Sequence, residues 1–336
     1  MQAVVYTQYG PPDVLHLEEV AKPAPKDDEV LVKIHAVSVN AADWHLLTSD
    51  IFLVRVMVGG LRKPKHTILG ADIAGVVEAV GPGVRQFRPG DEVYGDIALY
   101  GFGGFAEYVA VPERAVAPKP TNLSFEEAAA VPLAAVTALQ GLRDRGHVRA
   151  GQKVLINGAS GGVGTYAVQI AKAFGAEVTA VCSTRNVDQA RSLGADHVID
   201  YTKEDFTTSG QQYDLIFAAN GNRSLSDYKR ALAPKGIYVM AGGQPSQMFQ
   251  ALLMGPLMSI GGDRKMGGLS AKTNQADLIV VKGLIEAGKV KPVIDKRFAT
   301  LAQVPDAMRY LGTGHARGKV VIVVEETGSL VSGDQH

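Results

Sequence analysis

Three glycines spaced three apart, Gly158, Gly161 and Gly164, stand in the stretch KVLINGASGGVGTYAVQIAKAFG, between an apolar run and a helix-like run. The chemistry that suits such a loop is holding an anion. Glycine follows a tight main-chain path and lets a pyrophosphate come close to the backbone. The helix start adds amides with no carbonyl one turn back and the positive end of the helix dipole. Ala159, Ser160, Gly161, Gly162, Val163 and Gly164 are therefore the candidate contacts to a dinucleotide. A bare glycine repeat is weak, but this one follows a strand and opens a helix within alternating elements. The competing reading is a turn kept tight only for helix–strand packing.

The next strand ends on Cys182 and runs into Ser183-Thr184-Arg185, with no acid. A carboxylate there would accept hydrogen bonds from ribose hydroxyls and repel a 2′-phosphate. Hydroxyls and a guanidinium fork favour that phosphate instead. NADPH is thus the expected cofactor, held by Ser183, Arg185 and, from the end of the third strand, Tyr201. The alternative is a solvated Arg185 that opens the next helix with Asp188 as its partner. Asn220 and Gly242 follow the fourth and fifth strands, at the edge where open parallel sheets bind ligands. His45, after Trp44, is a candidate proton donor; a surface histidine is the plainer alternative.

Elements must position these residues, and 336 residues are long for one core, so two domains are expected. The first 120 or so residues carry short apolar runs cut by Gly81-Pro82-Gly83 and Pro89-Gly90-Asp91, which predicts a β-rich, partly open barrel. Residues 40–66 interrupt that pattern as a helix or a flap. Ser124-Phe125-Glu126-Glu127 is a capping-box sequence opening an alanine-rich helix that Pro132 must kink or divide. From Lys153, strands are expected at 154–157, 177–182, 197–201, 214–219, 237–241 and, less distinctly, 257–260, mostly alternating with helices. That order indicates a doubly wound parallel sheet, an α/β fold. The expected division is 1–124, 125–267 as the dinucleotide-binding domain, and 268–336 returning to the first. The last ten or so residues read as frayed. The apolar run at 249–260 is expected to lead into an edge strand, and covering it predicts a homodimer.

Composition sets the outer bounds. Hydrophobic residues make up 46% and charged residues 20%, which reads as a soluble globular protein. Lys plus Arg and Asp plus Glu number 34 each, which argues against a nucleic-acid surface. One cysteine excludes an intramolecular disulfide and a multi-cysteine zinc site. MQAVVYTQYG shows no secretory pattern and no long apolar run follows, so a cytosolic (cytoplasmic) protein is the expectation.

Several stretches in order carry a family resemblance: Asn40-Ala41-Ala42-Asp43, Gly70-Ala71-Asp72-Ile73-Ala74-Gly75, Arg88-Pro89-Gly90-Asp91-Glu92-Val93, the glycine loop, and Gly194-Ala195-Asp196-His197-Val198-Ile199-Asp200-Tyr201. Residues 1–325 resemble the zinc-independent, quinone oxidoreductase-like branch of the medium-chain dehydrogenases/reductases. The resemblance implies a GroES-like catalytic domain built from both chain ends, an inserted Rossmann domain and a homodimer. It implies metal-free, NADPH-dependent hydride transfer to quinones or α,β-unsaturated carbonyls. Where zinc-dependent members carry His-Glu, this chain has Ala71-Asp72, and the Asn40–Asp43 turn replaces their first cysteine ligand. Asn40 and Asp43 match the motif at the family's substrate–nicotinamide cleft, with a structural turn as the alternative. Thr137 resembles the family threonine near the nicotinamide, with a helix-packing threonine as the alternative. Arg317 lies in a segment that resembles one returning near the cofactor, with a solvated turn residue as the alternative. Asn220 departs from the valine of many relatives. A zinc-free alcohol/carbonyl oxidoreductase and a non-catalytic NADPH sensor stand as rivals.

Overall fold

The computed structural model describes residues 1–50, 56, 60–243, 247, 250, 254–255, 258–259 and 262–324. Its elements in chain order begin with β1 (Gln2–Val5), β2 (His16–Glu19), β3 (Glu29–Val39), α1 (Ala41–Thr48), β4 (Asp72–Val80) and β5 (Glu92–Asp96). Then come β6 (Tyr108–Pro112), β7 (Val116–Pro118), α2 (Phe125–Ala129) and α3 (Pro132–Gln140). The alternating series follows: β8 (Lys153–Asn157), α4 (Gly162–Ala173), β9 (Glu177–Cys182), α5 (Val187–Ser192) and β10 (His197–Asp200). It continues with β11 (Tyr213–Ala218), α6 (Leu225–Ala231), β12 (Leu232–Met240) and β13 (Lys265–Gly268). The chain closes with α7 (Gln275–Glu286), β14 (Ile294–Phe298), α8 (Val304–Gly312) and β15 (Lys319–Val323). Among the described residues, no helix is long and apolar enough to cross a membrane.

Two compact units result. One comprises residues 1–132, 296–314 and 320–336; the other comprises 133–295 and 315–319. In the first, seven strands pair in the order β14-β15-β3-β4-β5-β7, with β6 also on β3. The pairs β15–β3, β3–β4, β3–β6, β4–β5 and β5–β7 are antiparallel. Long β3 (EVLVKIHAVSV) is the spine, with Val30, Val32, Ile34 and Val37 at 0–1% exposure. Ser124 caps α2 by accepting the Glu127 amide at 3.2 Å, and Glu127 returns a carboxylate to the Ser124 amide at 3.0 Å. Pro132 stands at the first position of α3, so the alanine-rich run is divided rather than kinked.

In the second unit, the parallel sheet runs β10-β9-β8-β11-β12-β13. Its inner strands are apolar runs buried on both faces, as a sheet covered by helices on both sides requires. The sixth strand is Lys265–Gly268 rather than 257–260; of that stretch only Met258 and Ser259 are described, Met258 as helix. The run at 249–260, expected to reach a dimer edge, otherwise lies outside the described residues apart from Gln250, Met254 and Gly255; so do residues 325–336. The chain leaves β8 toward β9 and β10 on one side and resumes at β11 on the other. That reversal opens a crevice at the carboxyl ends of β8 and β11, where such sheets take ligands. Asn157 and Ala218 are paired there.

Candidate dinucleotide-binding and active site

The glycines of the β8–α4 loop do different things. Gly158 has φ +83°, and a Cβ on it would lie 2.8–2.9 Å from Asn220 Cβ and N. On Gly164 a Cβ would meet the Gly158 carbonyl oxygen at 2.0 Å. Both are demanded by the fold. Gly161 is not. Its φ is −80°, and nothing comes closer to an added Cβ than 3.7 Å. This open position is the N-cap of α4, where the first amides have no carbonyl one turn back. The loop fits a pyrophosphate: it keeps a glycine that packing does not require, at the place where an anion would approach. Ala159 is buried; Ser160, Gly162 and Val163 are half-buried along the same turn.

The turn after β9 collects cations and hydroxyls. Arg185 Nη2 donates to the His315 carbonyl at 3.1 Å, and Arg317 Nη2 donates to the Arg185 carbonyl at 3.3 Å. Gln189 and Asp295 fix the Arg317 main chain from two sides, at 3.1 and 2.9 Å. Two exposed guanidinium groups thus share one turn, each hydrogen-bonded to a main-chain carbonyl and neither ion-paired among the described residues. Asp188 pairs with Arg191 at 3.4 Å, not with Arg185. Tyr201 is 46% exposed at the same sheet edge, its amide on the Cys182 carbonyl at 3.1 Å.

Sequence reasoning missed two residues here. Asp200 ends β10 and accepts the Thr184 hydroxyl at 2.6 Å and the Thr202 hydroxyl at 2.7 Å, with Lys203 3.3 Å away. The Thr184 hydrogen bond, with Thr202 and Lys203 behind it, holds the Asp200 carboxyl well below the usual carboxylate range. An acid therefore stands beside the turn, and it is Thr184, read as a donor to the cofactor, that satisfies it. The other is Asn186, whose amide nitrogen lies 3.0 Å from Ser160 Oγ and 3.1 Å from Ser183 Oγ. Neither contact has a signal in local sequence.

Beside the crevice, the Ala219 and Asn220 amides donate to the Asn157 carbonyl at 2.9 and 3.2 Å, leaving the Asn220 side chain exposed. Gly242 passes so close to β11 that a Cβ would lie 2.6 Å from the Ala219 oxygen, and its carbonyl accepts the Gly221 amide at 2.9 Å. Thr137 lies in α3 at 8% exposure.

In the first unit, Asp43 accepts the Asn40 amide at 2.9 Å through one oxygen and the Gly70 amide at 3.0 Å through the other. Asn40 Nδ2 and the Ser38 hydroxyl both donate to Asp72 Oδ2 at 3.0 Å. These side chains are at most 5% exposed, and together they cap α1 and lock β3 to β4. Ala71-Asp72 stands where zinc-dependent members carry His-Glu; Ala71 offers no ligand, and the Asp72 Oδ2 is already shared by two donors. No group of three or more His, Cys, Asp or Glu among the described residues could hold a metal ion. The donor set at those positions does not fit zinc, which takes three or four N or S ligands in reach. His45 Nδ1 lies 2.8 Å from Asp50 Oδ1 on a half-buried ring, so an acid orients the imidazole.

Comparison with known proteins agrees with this architecture. Residues 26–121 match the alcohol dehydrogenase GroES-like domain, and 193–322 match a family described as zinc-binding dehydrogenase. The 2-methylene-furan-3-one reductase of Solanum lycopersicum is 40% identical over 334 residues, covering 96% of this chain and 79% of that protein. The chain belongs to the medium-chain dehydrogenase/reductase family. Within it, the match is to the quinone oxidoreductase-like branch. The chloroplastic NADPH-dependent alkenal/one oxidoreductase of Arabidopsis thaliana is 37% identical over 96% of this chain and 79% of its own. The quinone oxidoreductase from Coxiella burnetii superposes with a TM-score of 0.85 at 30% identity, covering 97% and 99% of the two chains. The GroES-like domain and the Rossmann sheet are both present, as the sequence predicted. The cytosolic expectation is corrected. Similar medium-chain reductases are chloroplastic in plants and mitochondrial in animals, so the plain start of this chain is no argument for the cytosol.

Proposed function

We propose that the β8–α4 loop and the β9 turn together hold NADPH, and that the chain uses it to reduce quinones or α,β-unsaturated carbonyls without a metal ion. The observation that carries this is the pair Arg185 and Arg317, two guanidinium groups that meet at the β9 turn with no acid partner among the described residues, where a 2′-phosphate would sit. The enzyme is an NADPH-dependent oxidoreductase of the quinone and enone type, in line with relatives named as alkenal/one and quinone oxidoreductases.

When bound, NADPH supplies the hydride. The chain's own residues do the rest. The loop from Ala159 to Gly164 presents main-chain amides to the pyrophosphate. Ser183, Arg185 and Arg317 hold the 2′-phosphate, and Tyr201 covers the adenosine side. Asn220 and Gly242 line the ribose and carboxamide path, and Thr137 stands at the nicotinamide end. Oxyanion stabilisation falls to hydrogen-bond donors rather than a Lewis acid. His45, oriented by Asp50, is the candidate proton donor, and the buried Asn40–Asp43 cap holds its helix in place. The division we favour keeps catalytic segments from both chain ends and a dinucleotide-binding domain between them. The expected boundaries at 124/125 and 267/268 move to those of the compact units, 132/133 and 295/296, because α2 packs with the first unit and α7 with the second. A homodimer is proposed as well, since the outer edge of β13 has no strand partner among the described residues; a monomer mass by light scattering at micromolar concentration would remove it.

Pure protein with NADPH and a panel of quinones, enals and enones, followed at the nicotinamide absorbance band, tests the reading. Turnover of at least one class is expected. Cofactor binding with no turnover on any of them would point to a sensor, and turnover of simple ketones alone would point to carbonyl chemistry.

A further inference from the structure

Asn186 occupies the N-cap of α5, yet its side chain makes no cap hydrogen bond. It is 4% exposed, and its amide nitrogen reaches across to both Ser160 of the glycine loop and Ser183 of the β9 turn. Its other end is stranded: the buried Oδ1 has no partner among the described residues. Leaving a buried acceptor unmet costs folding free energy, and a buried asparagine placed for stability alone would cap its own helix. The chain forgoes that cap to join the two anion-facing loops through one nitrogen.

The consequence for the serines is chemical. A hydroxyl has one hydrogen and two lone pairs. Each Ser Oγ here uses a lone pair to accept an amide hydrogen, which leaves each O–H hydrogen free to donate elsewhere. Reversing the amide would turn both hydroxyl hydrogens inward onto Oδ1 and strand two N–H hydrogens instead of one oxygen.

We infer that Asn186 is a positioning residue for cofactor choice: it fixes Ser160 and Ser183 as outward hydrogen-bond donors to the phosphates of NADPH and so sharpens the preference for a 2′-phosphate. The inference rests on the proposed reading of the β9 turn as the 2′-phosphate site.

Two variants test it. Asn186→Asp keeps the shape but offers only acceptors, so both serine hydrogens turn inward and a like charge is added. Asn186→Ala releases the hydroxyls to rotate. By isothermal titration, binding of 2′,5′-ADP weakens about 10- to 100-fold in Asn186→Asp, the range of a hydrogen bond to a charged group, and roughly 3- to 10-fold in Asn186→Ala, the range of a partly lost one. Binding of 5′-AMP changes far less. The KM for NADPH rises in step, while kcat at saturating cofactor falls much less than KM rises. Asn186→Ala keeps its Tm, because the stranded oxygen leaves with the side chain. A lower Tm with unchanged 2′,5′-ADP affinity in both variants would make Asn186 a plain structural staple and overturn the inference. Wild-type protein that binds 5′-AMP as tightly as 2′,5′-ADP would instead overturn the underlying site reading, and the inference with it.

Discussion

Two polar clusters in this chain are built from similar residues and differ in how far they are satisfied. Around α1, Ser38, Asn40, Asp43 and Asp72 are buried, and their carboxylates are met by internal donors. Around the β9 turn, Ser183, Arg185, Arg317 and, from the glycine loop, Ser160 keep donor capacity beyond the hydrogen bonds they make. The two arginines have no ion pair among the described residues, and the Asn186 Oδ1 has no partner among them. A polar group that the fold satisfies belongs to the architecture. One that the fold leaves with capacity in hand is arranged for something that arrives later. The contrast sets Asn40 and Asp43, which tie α1, β3 and β4 together, apart from the β9 turn, the cofactor site proposed above.

The sharpest break of that contrast is in the satisfied cluster. Asp43→Ala leaves two buried amides, of Asn40 and Gly70, without acceptors. A loss of about 3 kcal/mol in urea unfolding is expected, the sum of two unmet buried donors. A loss under about 1 kcal/mol would mean that the cap is dispensable and that Asp43 is kept for another purpose.

Substituting the glycines sharpens it further. Gly161→Ala has room in the fold, so stability should stay within about 1 kcal/mol, the scale of an N-cap change. NADPH affinity should nevertheless fall by about tenfold or more, as a methyl group intrudes where the pyrophosphate approaches. Unchanged affinity would return the loop to a packing role. Gly164→Ala, 2.0 Å from a carbonyl oxygen, should instead compromise folding.

A smaller effect concerns Asp200. Its carboxyl is depressed chiefly by the Thr184 hydrogen bond. A group lowered in the folded state stabilises above its unfolded value, about 3.9 for aspartate, and that contribution is lost as pH falls toward the folded value. The Tm advantage of wild type over Asp200→Asn should therefore be constant above about pH 5 and shrink below about pH 4. An advantage that grows on acidification would contradict the assignment.

Much of this was legible from residue type and period. The glycine loop, the divided helix at Pro132 and five of the six parallel strands announce themselves through glycine spacing, proline and apolar runs. The sixth strand did not, because KMGG is short and has no apolar run to mark it. Asp200 and Asn186 were invisible for a different reason. Each reads locally as an ordinary strand end or helix start, and its role exists only once neighbouring strands bring Thr184 and the two serines within hydrogen-bond reach. Arg317 was approachable through family resemblance alone, since it reaches the β9 turn from more than a hundred residues away. The satisfied cap at Asn40 and Asp43 could be weighed from sequence, but not its closure onto Gly70 and Asp72.

Selection of the 2′-phosphate by the β9 turn is read most sharply in the ratio of kcat/KM for NADPH over NADH, with one enone as substrate, in wild type and Arg185→Ala. A hydrogen bond to a charged group contributes roughly 1.5–3 kcal/mol, so wild type should favour NADPH and the substitution should erode that preference about 10- to 150-fold, with folding intact. Equal use of both cofactors by wild type, or a ratio that Arg185→Ala leaves unmoved, would contradict it.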